Sequence, residues 1–241
     1  DVTLGVFEPG QKLKLDELQT LYGISSSPLR EALSKLSQEG LIRSDERKGF
    51  RVADISPADL DDIVRMRLML DIQALEASMQ HGDDEWEAAV VAAHHKLDKL
   101  ERAFPDGPVV LDEAWVQTHK DFHLSVLAAC GSPRLLQWCA TLFDQAERYR
   151  QFSARHRTTS RRKAHEHKRI LDAVIRRDVP TACELLKDHM TSTQRNILRV
   201  LGRCRFPFVF PVPEHRRPDD VDPGSLQVRC EAHCGQSSDA E

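Results

Sequence analysis

The sequence predicts a mainly α protein in two parts, an N-terminal winged helix-turn-helix and a C-terminal antiparallel all-helical bundle. Three observations carry this expectation. Residues 1–54 alternate short helical patterns with turn signals and close on a charged hairpin. From Pro57 to Leu201 the apolar residues keep a helical period through six segments joined by short connections. That second stretch holds no strand-like alternation and no internal repeat.

The elements follow in order. Gly5 and Pro9-Gly10 break the chain early, and Asp16 to Tyr22 places Leu18 and Leu21 at helical spacing before Gly23 stops the helix. Ser25, Ser26 and Ser27 offer N-caps and Pro28 fits a first turn. Leu29, Ala32, Leu33 and Leu36 then form one apolar stripe, which Gly40 ends. Leu41-Ile42-Arg43 and Phe50-Arg51-Val52-Ala53 read as two strands around a polar turn, Ser44 to Gly49. A linker at 55–58 leads into the second domain, 59–201. Helices are expected near 57–80, 84–104, 112–130, 133–156, 160–177 and 180–201, separated by His81-Gly82-Asp83, Pro105 to Pro108, Gly131-Ser132-Pro133, Thr158 to Ser160 and Asp178-Val179-Pro180. Residues 202–241 are rich in Pro, Ser and charge and read as a poorly ordered tail, in which Cys230, His233 and Cys234 are weak candidates for metal binding.

Composition narrows the function. Charged residues at 30% and hydrophobic ones at 40% fit a soluble globular chain of 241 residues. No run of about 18 apolar residues exists, so no membrane span is expected. Six cysteines without a CxxC pair point to a reducing cytoplasm, with Cys130, Cys139 and Cys183 as buried thiols. A net charge of −4 argues against indiscriminate nucleic-acid binding but leaves room for a local basic surface.

In a winged helix-turn-helix the second helix lies in the major groove with its N-terminal residues on base edges. Here those residues are Ser25, Ser26, Ser27 and Arg30. An outward Arg30 can reach guanine O6 and N7 together, and the serines suit phosphate oxygens. Arg47, Lys48 and Gly49 stand at the wing tip. The bland alternative is a solvated helix face on a small protein-interaction module. The strings Phe7-Glu8-Pro9-Gly10-Gln11-Lys12-Leu13, Leu18 to Ser25, Ser27-Pro28-Leu29-Arg30-Glu31-Ala32-Leu33 and Leu36 to Ile42 resemble the reader domain of GntR-family regulators. That family places a helix before the Pro-Gly turn, and only Asp1 to Val6 remain of it, so a truncated N-terminus is expected.

The helical half resembles the FCD effector domain of the FadR-like branch of that family. Three stretches carry the likeness: Arg65 to Asp71, His119-Lys120-Asp121-Phe122-His123 leading into Ala128 to Ser132, and Glu166 to Val174 followed by Asp188-His189-Met190. Gly82 to Glu87 and Ala146 to Arg150 are similar to the carbon-starvation-induced regulator subgroup. From the residues alone, His119 and His123 share one helix face. His167 and His189 lie on two later helices joined by a short turn, so three helices can aim imidazoles into one hollow. The remaining histidines, among them His81, His94, His95 and His156, read as core or surface residues.

The resemblance implies a divalent metal held by three histidines and a carboxylate. Family members often carry Asp at the place of His119. Four histidines favour zinc, with nickel as the alternative, over magnesium or manganese, unless His119 does not ligate. The resemblance also places Arg67 near the hollow, and Arg148 and Arg150 lie on the helix between the histidine helices. Arg67 and Arg148 then either clamp a small mono- or dicarboxylate or cover the helix surface and pair with acids such as Glu147. The function implied is a repressor, not an enzyme. It would act as a homodimer on a pseudo-palindromic double-stranded DNA operator and be released by a small carboxylate effector. Two rivals stay open at this stage: a metal-dependent hydrolytic enzyme, and a protein-interaction module with a structural metal.

Overall fold

The computed structural model describes residues 1–45, 49–103, 111–156 and 164–203. Its N-terminal part contains β1 (Lys12–Leu13), α1 (Leu15–Tyr22), α2 (Ser26–Gln38), β2 (Ile42–Asp45) and β3 (Gly49–Val52). The sheet has three strands in the order β1-β3-β2, all antiparallel, with Lys12 opposite Arg51 and Ile42 opposite Val52. The two hairpin strands lie within two residues of where the sequence puts them, with Ser44, Asp45 and Gly49 in strand rather than turn. The third, β1, escapes sequence reading because two residues cannot display an alternation.

A small core of Val2, Leu13, Leu18, Leu29, Leu33, Leu41, Ile42 and Val52 holds this part together. It corrects the expected helix faces in detail. Leu21 is 62% exposed and Ala32 also faces solvent. The core is narrow: α1 buries Leu18 alone, and α2 buries Leu29 and Leu33 with Leu36 packed partly against them.

Six long helices follow: α3 (Pro57–His81), α4 (Asp84–Arg102), α5 (Glu113–Leu127), α6 (Pro133–His156), α7 (Ala164–Ile175) and α8 (Val179–Leu201). Side-chain caps set the starts of four of them. Ser56 Oγ accepts from Asp59 N–H at 3.1 Å, Asp83 from Trp86 at 2.9 Å, Asp112 from Trp115 at 2.8 Å and Asp178 from Thr181 at 3.2 Å. Helix α5 ends before the expected 130, because Ala128–Cys130 turn toward Gly131 at φ +71°. The tail from residue 204 and the wing-tip residues Arg47 and Lys48 lie outside the described residues.

Helix α3 packs along α6 and α8, while α4 packs on α5 and α7. The main core gathers Leu75, Val90, Leu97, Phe122, Ile170, Ala173 and Leu186 between them. Arg177 adopts a left-handed φ of 57° at the α7–α8 turn. Its guanidinium donates to the carbonyls of Met79 and Gly82 and to Glu87, which ties that turn to the α3–α4 turn. Cys130, Cys139 and Cys183 are buried free thiols. Burial pushes Cys183 up to about 11, so it stays protonated. Among the described residues no helix is long and apolar enough to cross a membrane.

Leu75 has no exposed surface. Leu75→Ala is therefore expected to cost about 2–5 kcal/mol of unfolding free energy, read as a lower urea midpoint at unchanged slope. A midpoint equal to wild type would show that the site collapses without loss.

Candidate metal centre and nucleic-acid interface

Four of the eleven histidines converge. His119 and His123 stand one turn apart on α5, His167 is on α7 and His189 on α8. All four are buried, and one ligand atom from each lies within 4.8 Å of the others. The Nε2 atoms of His119 and His123 are 3.1 Å apart. That is close to the edge of about 3.3 Å expected of a tetrahedron with zinc–nitrogen bonds of about 2.0–2.1 Å. Trp115 stacks on His119 at 4.5 Å between ring centres, and Phe122 and Phe143 wall the cluster.

The outer nitrogens face carboxylates. Glu101, from α4, approaches His167 Nδ1 at 3.1 Å, and Glu166 approaches His189 Nδ1 at 2.8 Å. A carboxylate at Nδ1 holds the proton there and turns the Nε2 lone pair inward, a common support for metal-binding imidazoles. Burial, then the nearby Arg150 charge, hold His119 well below the usual histidine range. A neutral imidazole keeps a lone pair to give. Donor type, burial and the two outer carboxylates thus fit a borderline first-row divalent cation. His94 is buried too, but it packs edge-on against Phe122 and is no member of the cluster.

A cleft adjoins the histidines. Arg67, Arg150, His123, His189, Thr193 and Gln194 line it. Arg67 is held by Asp71 at 2.8 Å, a buried pair one turn apart on α3, and sits over the Phe143 ring. Arg148 does not reach this cleft. Its guanidinium donates to the Ala53 carbonyl at 2.9 Å. Arg150 is the arginine beside the histidines, with Nη1 2.6 Å from His119 Nδ1 and 3.0 Å from Glu147. Two residues are about 200° apart around a helix, so neighbours in sequence serve opposite faces of α6. Glu101 is the partner that sequence reasoning missed. It lies 66 residues before His167, and nothing in its local pattern separates it from a solvated helix end.

The other face of α6 meets the winged helix. Gln145 donates to the Glu39 carbonyl at 2.8 Å and Arg148 to that of Ala53. Tyr149 Oη accepts from Ser56 N–H at 3.0 Å and donates to Asp59 at 2.5 Å. Arg155 donates to the carbonyls of Leu4 and Gly5. Ile55, read as linker, is 1% exposed.

In the reader, Ser25 occupies the N-cap position of α2 without a side-chain cap bond. Ser25, Ser26, Ser27 and Arg30 are exposed while Leu29 and Leu33 point inward. Gly49 is exposed at φ +78° where β3 begins.

A winged helix that presents an arginine and serines at a helix start, followed by a bundle with a buried polar hollow, defines a DNA-binding transcription regulator with an effector domain. The comparisons agree. Residues 1–52 match the bacterial regulatory protein gntR family and residues 62–192 match the FCD domain. The chain belongs to the GntR family, in its FadR-like branch with an FCD domain. It is 39% identical to the HTH-type transcriptional repressor GlaR of Escherichia coli (strain K12), over 79% of this chain and 87% of that one. It is 34% identical to the HTH-type transcriptional regulator BphR of Paraburkholderia xenovorans (strain LB400), over 85% and 83%. In fold it is similar to E. coli McbR/YncC, with TM-score 0.70 at 18% identity over 82% of this chain and 92% of the other. Family and relatives are transcriptional regulators, not enzymes.

If Glu101 orients His167, Glu101→Gln should weaken zinc binding about 10- to 100-fold in a chelator competition, with little change in thermal midpoint. Equal zinc affinity in variant and wild type would remove Glu101 from that role.

Proposed function

We propose that this regulator is a repressor released by a small mono- or dicarboxylate bound beside a metal ion held by His119, His123, His167 and His189. The observation that carries the reading is the meeting of four buried imidazoles with a cleft that holds two guanidiniums. Four nitrogen donors favour zinc, with nickel the alternative. The metal, when bound, supplies a Lewis-acid anchor for one carboxylate oxygen. Arg67 and Arg150 hold the rest of the anion through paired hydrogen bonds. The repressor sign is taken from the likeness to GlaR.

Residues 1–54 form the reader, 55–58 the linker, 59–201 the effector domain and 202–241 a tail. Ser25, Ser26, Ser27 and Arg30 engage the major groove, with Arg47, Lys48 and Gly49 at the wing. One recognition helix covers a half-site, so a homodimer on a pseudo-palindrome follows. An effector changes DNA affinity only by favouring one arrangement of the readers over another. Helix α6 is placed to transmit that preference, since it carries Arg150 on the effector side and Gln145, Arg148, Tyr149 and Arg155 on the reader side.

The test is a screen of short mono- and dicarboxylates against the protein bound to DNA around its own gene, with bound metal measured by elemental analysis. At least one acid should release the DNA from metal-loaded wild type, and the same acid should fail with His189→Ala. Release that persists at equal acid concentration in the histidine variant would sink the reading. Arg148→Met should leave zinc and acid affinities within about twofold while shrinking acid-induced DNA release. A full response in Arg148→Met would remove this contact from the path between the two parts.

A further inference from the structure

We infer that the effector acid carries an unsubstituted hydrocarbon segment, and that this segment, laid against the core that seats the linker, is what displaces the reader. The inference rests on the metal-and-carboxylate reading above and names the chemistry of the rest of the ligand. The cleft beside the histidines has two chemically different ends. At one end both of its guanidiniums flank a single ring, with Arg67 5.0 Å and Arg150 5.2 Å from the centre of Phe143. The same ring centre is 5.5 Å from that of His123, so the cations and the imidazoles share this end. Each guanidinium is paired with a buried acid, Arg67 with Asp71 and Arg150 with Glu147.

The other end is hydrocarbon, lined by Leu60, Val64, Ala146 and Ile197. Val64 and Leu60 stand one and two turns before Arg67 on α3, and Ile197 stands two turns beyond His189 on α8. The far wall is therefore about 10 Å along the helices from the charged end. Gln194 of α8 donates to Asp61 of α3 at 2.6 Å, which fixes that register. Thr193 and Gln194 line the cleft as well, but the Thr193 hydroxyl donates to the His189 carbonyl at 2.8 Å and the Gln194 amide to Asp61. A ligand hydroxyl at the far wall would exchange water for hydrocarbon, which costs free energy. A methylene there gains it.

The same four residues belong to a second core, whose other members include Ile55, Tyr149 and Phe152. Ile55 is in the linker, and Tyr149 holds the Ser56 N–H and Asp59 at the start of α3. The far wall of the cleft and the seat of the linker are thus two sides of one packed layer. Close-packed side chains pass a displacement on rather than absorb it. A carboxylate head anchors the ligand, and the length of chain behind it decides how far that layer moves.

The test titrates zinc-loaded protein with acetate, butanoate, pentanoate and 4-hydroxybutanoate by calorimetry, and follows release of the DNA around its own gene at saturating acid. In length 4-hydroxybutanoate matches pentanoate, with a hydroxyl in place of the terminal methyl. Affinity should rise about fourfold per methylene from acetate to pentanoate and fall back for 4-hydroxybutanoate. At saturation pentanoate should release the DNA and acetate should leave it bound. Ala146→Leu, which fills the hydrocarbon end, should remove the gain from chain length. Equal affinity for acetate and pentanoate, tighter binding of 4-hydroxybutanoate than of pentanoate, or full release by saturating acetate would overturn the inference and leave the metal-and-carboxylate reading intact. Binding by none of the four acids would overturn it too, while the His189→Ala comparison above judges the wider reading separately. If Ala146→Leu does not fold, the wild-type series alone decides.

Discussion

Four imidazoles buried at one point impose a condition on everything around them. A ring that gives a lone pair to a metal must be neutral, and burial and the Arg150 charge hold His119 well below the usual histidine range. Each ring must also be oriented, because a lone pair is useful only if it points inward. Glu101 and Glu166 do that for His167 and His189, and stacking on Trp115 does it for His119. The helix caps at Asp112 and Asp178 fix where α5 and α8 begin, and so set the angular phase at which the histidines emerge. A shift of one residue in either helix would turn an imidazole by about 100° and open the cluster.

Helix α6 joins this condition to the reader. Phe143, Ala146, Glu147 and Arg150 lie on the side that faces the histidines and the cleft, and Gln145, Arg148, Tyr149 and Arg155 lie on the opposite side. A rigid helix cannot move one face alone. Displacement on the cleft side is displacement at the carbonyls of Glu39 and Ala53. The contacts on the reader side are mainly bonds from side chains to backbone carbonyls, which do not depend on which side chains the reader carries.

The buried pair of Arg67 and Asp71 plays a supporting part. Removing both charges from water costs several kcal/mol per ion, and one hydrogen-bonded pair within a helix turn is weak compensation for that. Such a pair is better understood as a way to present a guanidinium at a chosen point on the cleft wall than as a source of stability.

Much was legible in the chain itself. Turn residues and caps placed the six long helices to within a few residues, because Gly, Pro, Asp and Ser act locally. The four-residue spacing of His119 and His123 put them on one face, and the short turn at Asp178 made the helices of His167 and His189 neighbours. Only the tertiary structure put Arg150 beside the histidines and turned Arg148 to the Ala53 carbonyl, brought Glu101 to His167, added β1 to the sheet and left Leu21 in solvent. Those choices depend on helix rotation and on which distant surfaces meet. Neighbouring residues on a helix point in different directions, and a contact across 66 positions leaves no mark on the local pattern that a sequence displays.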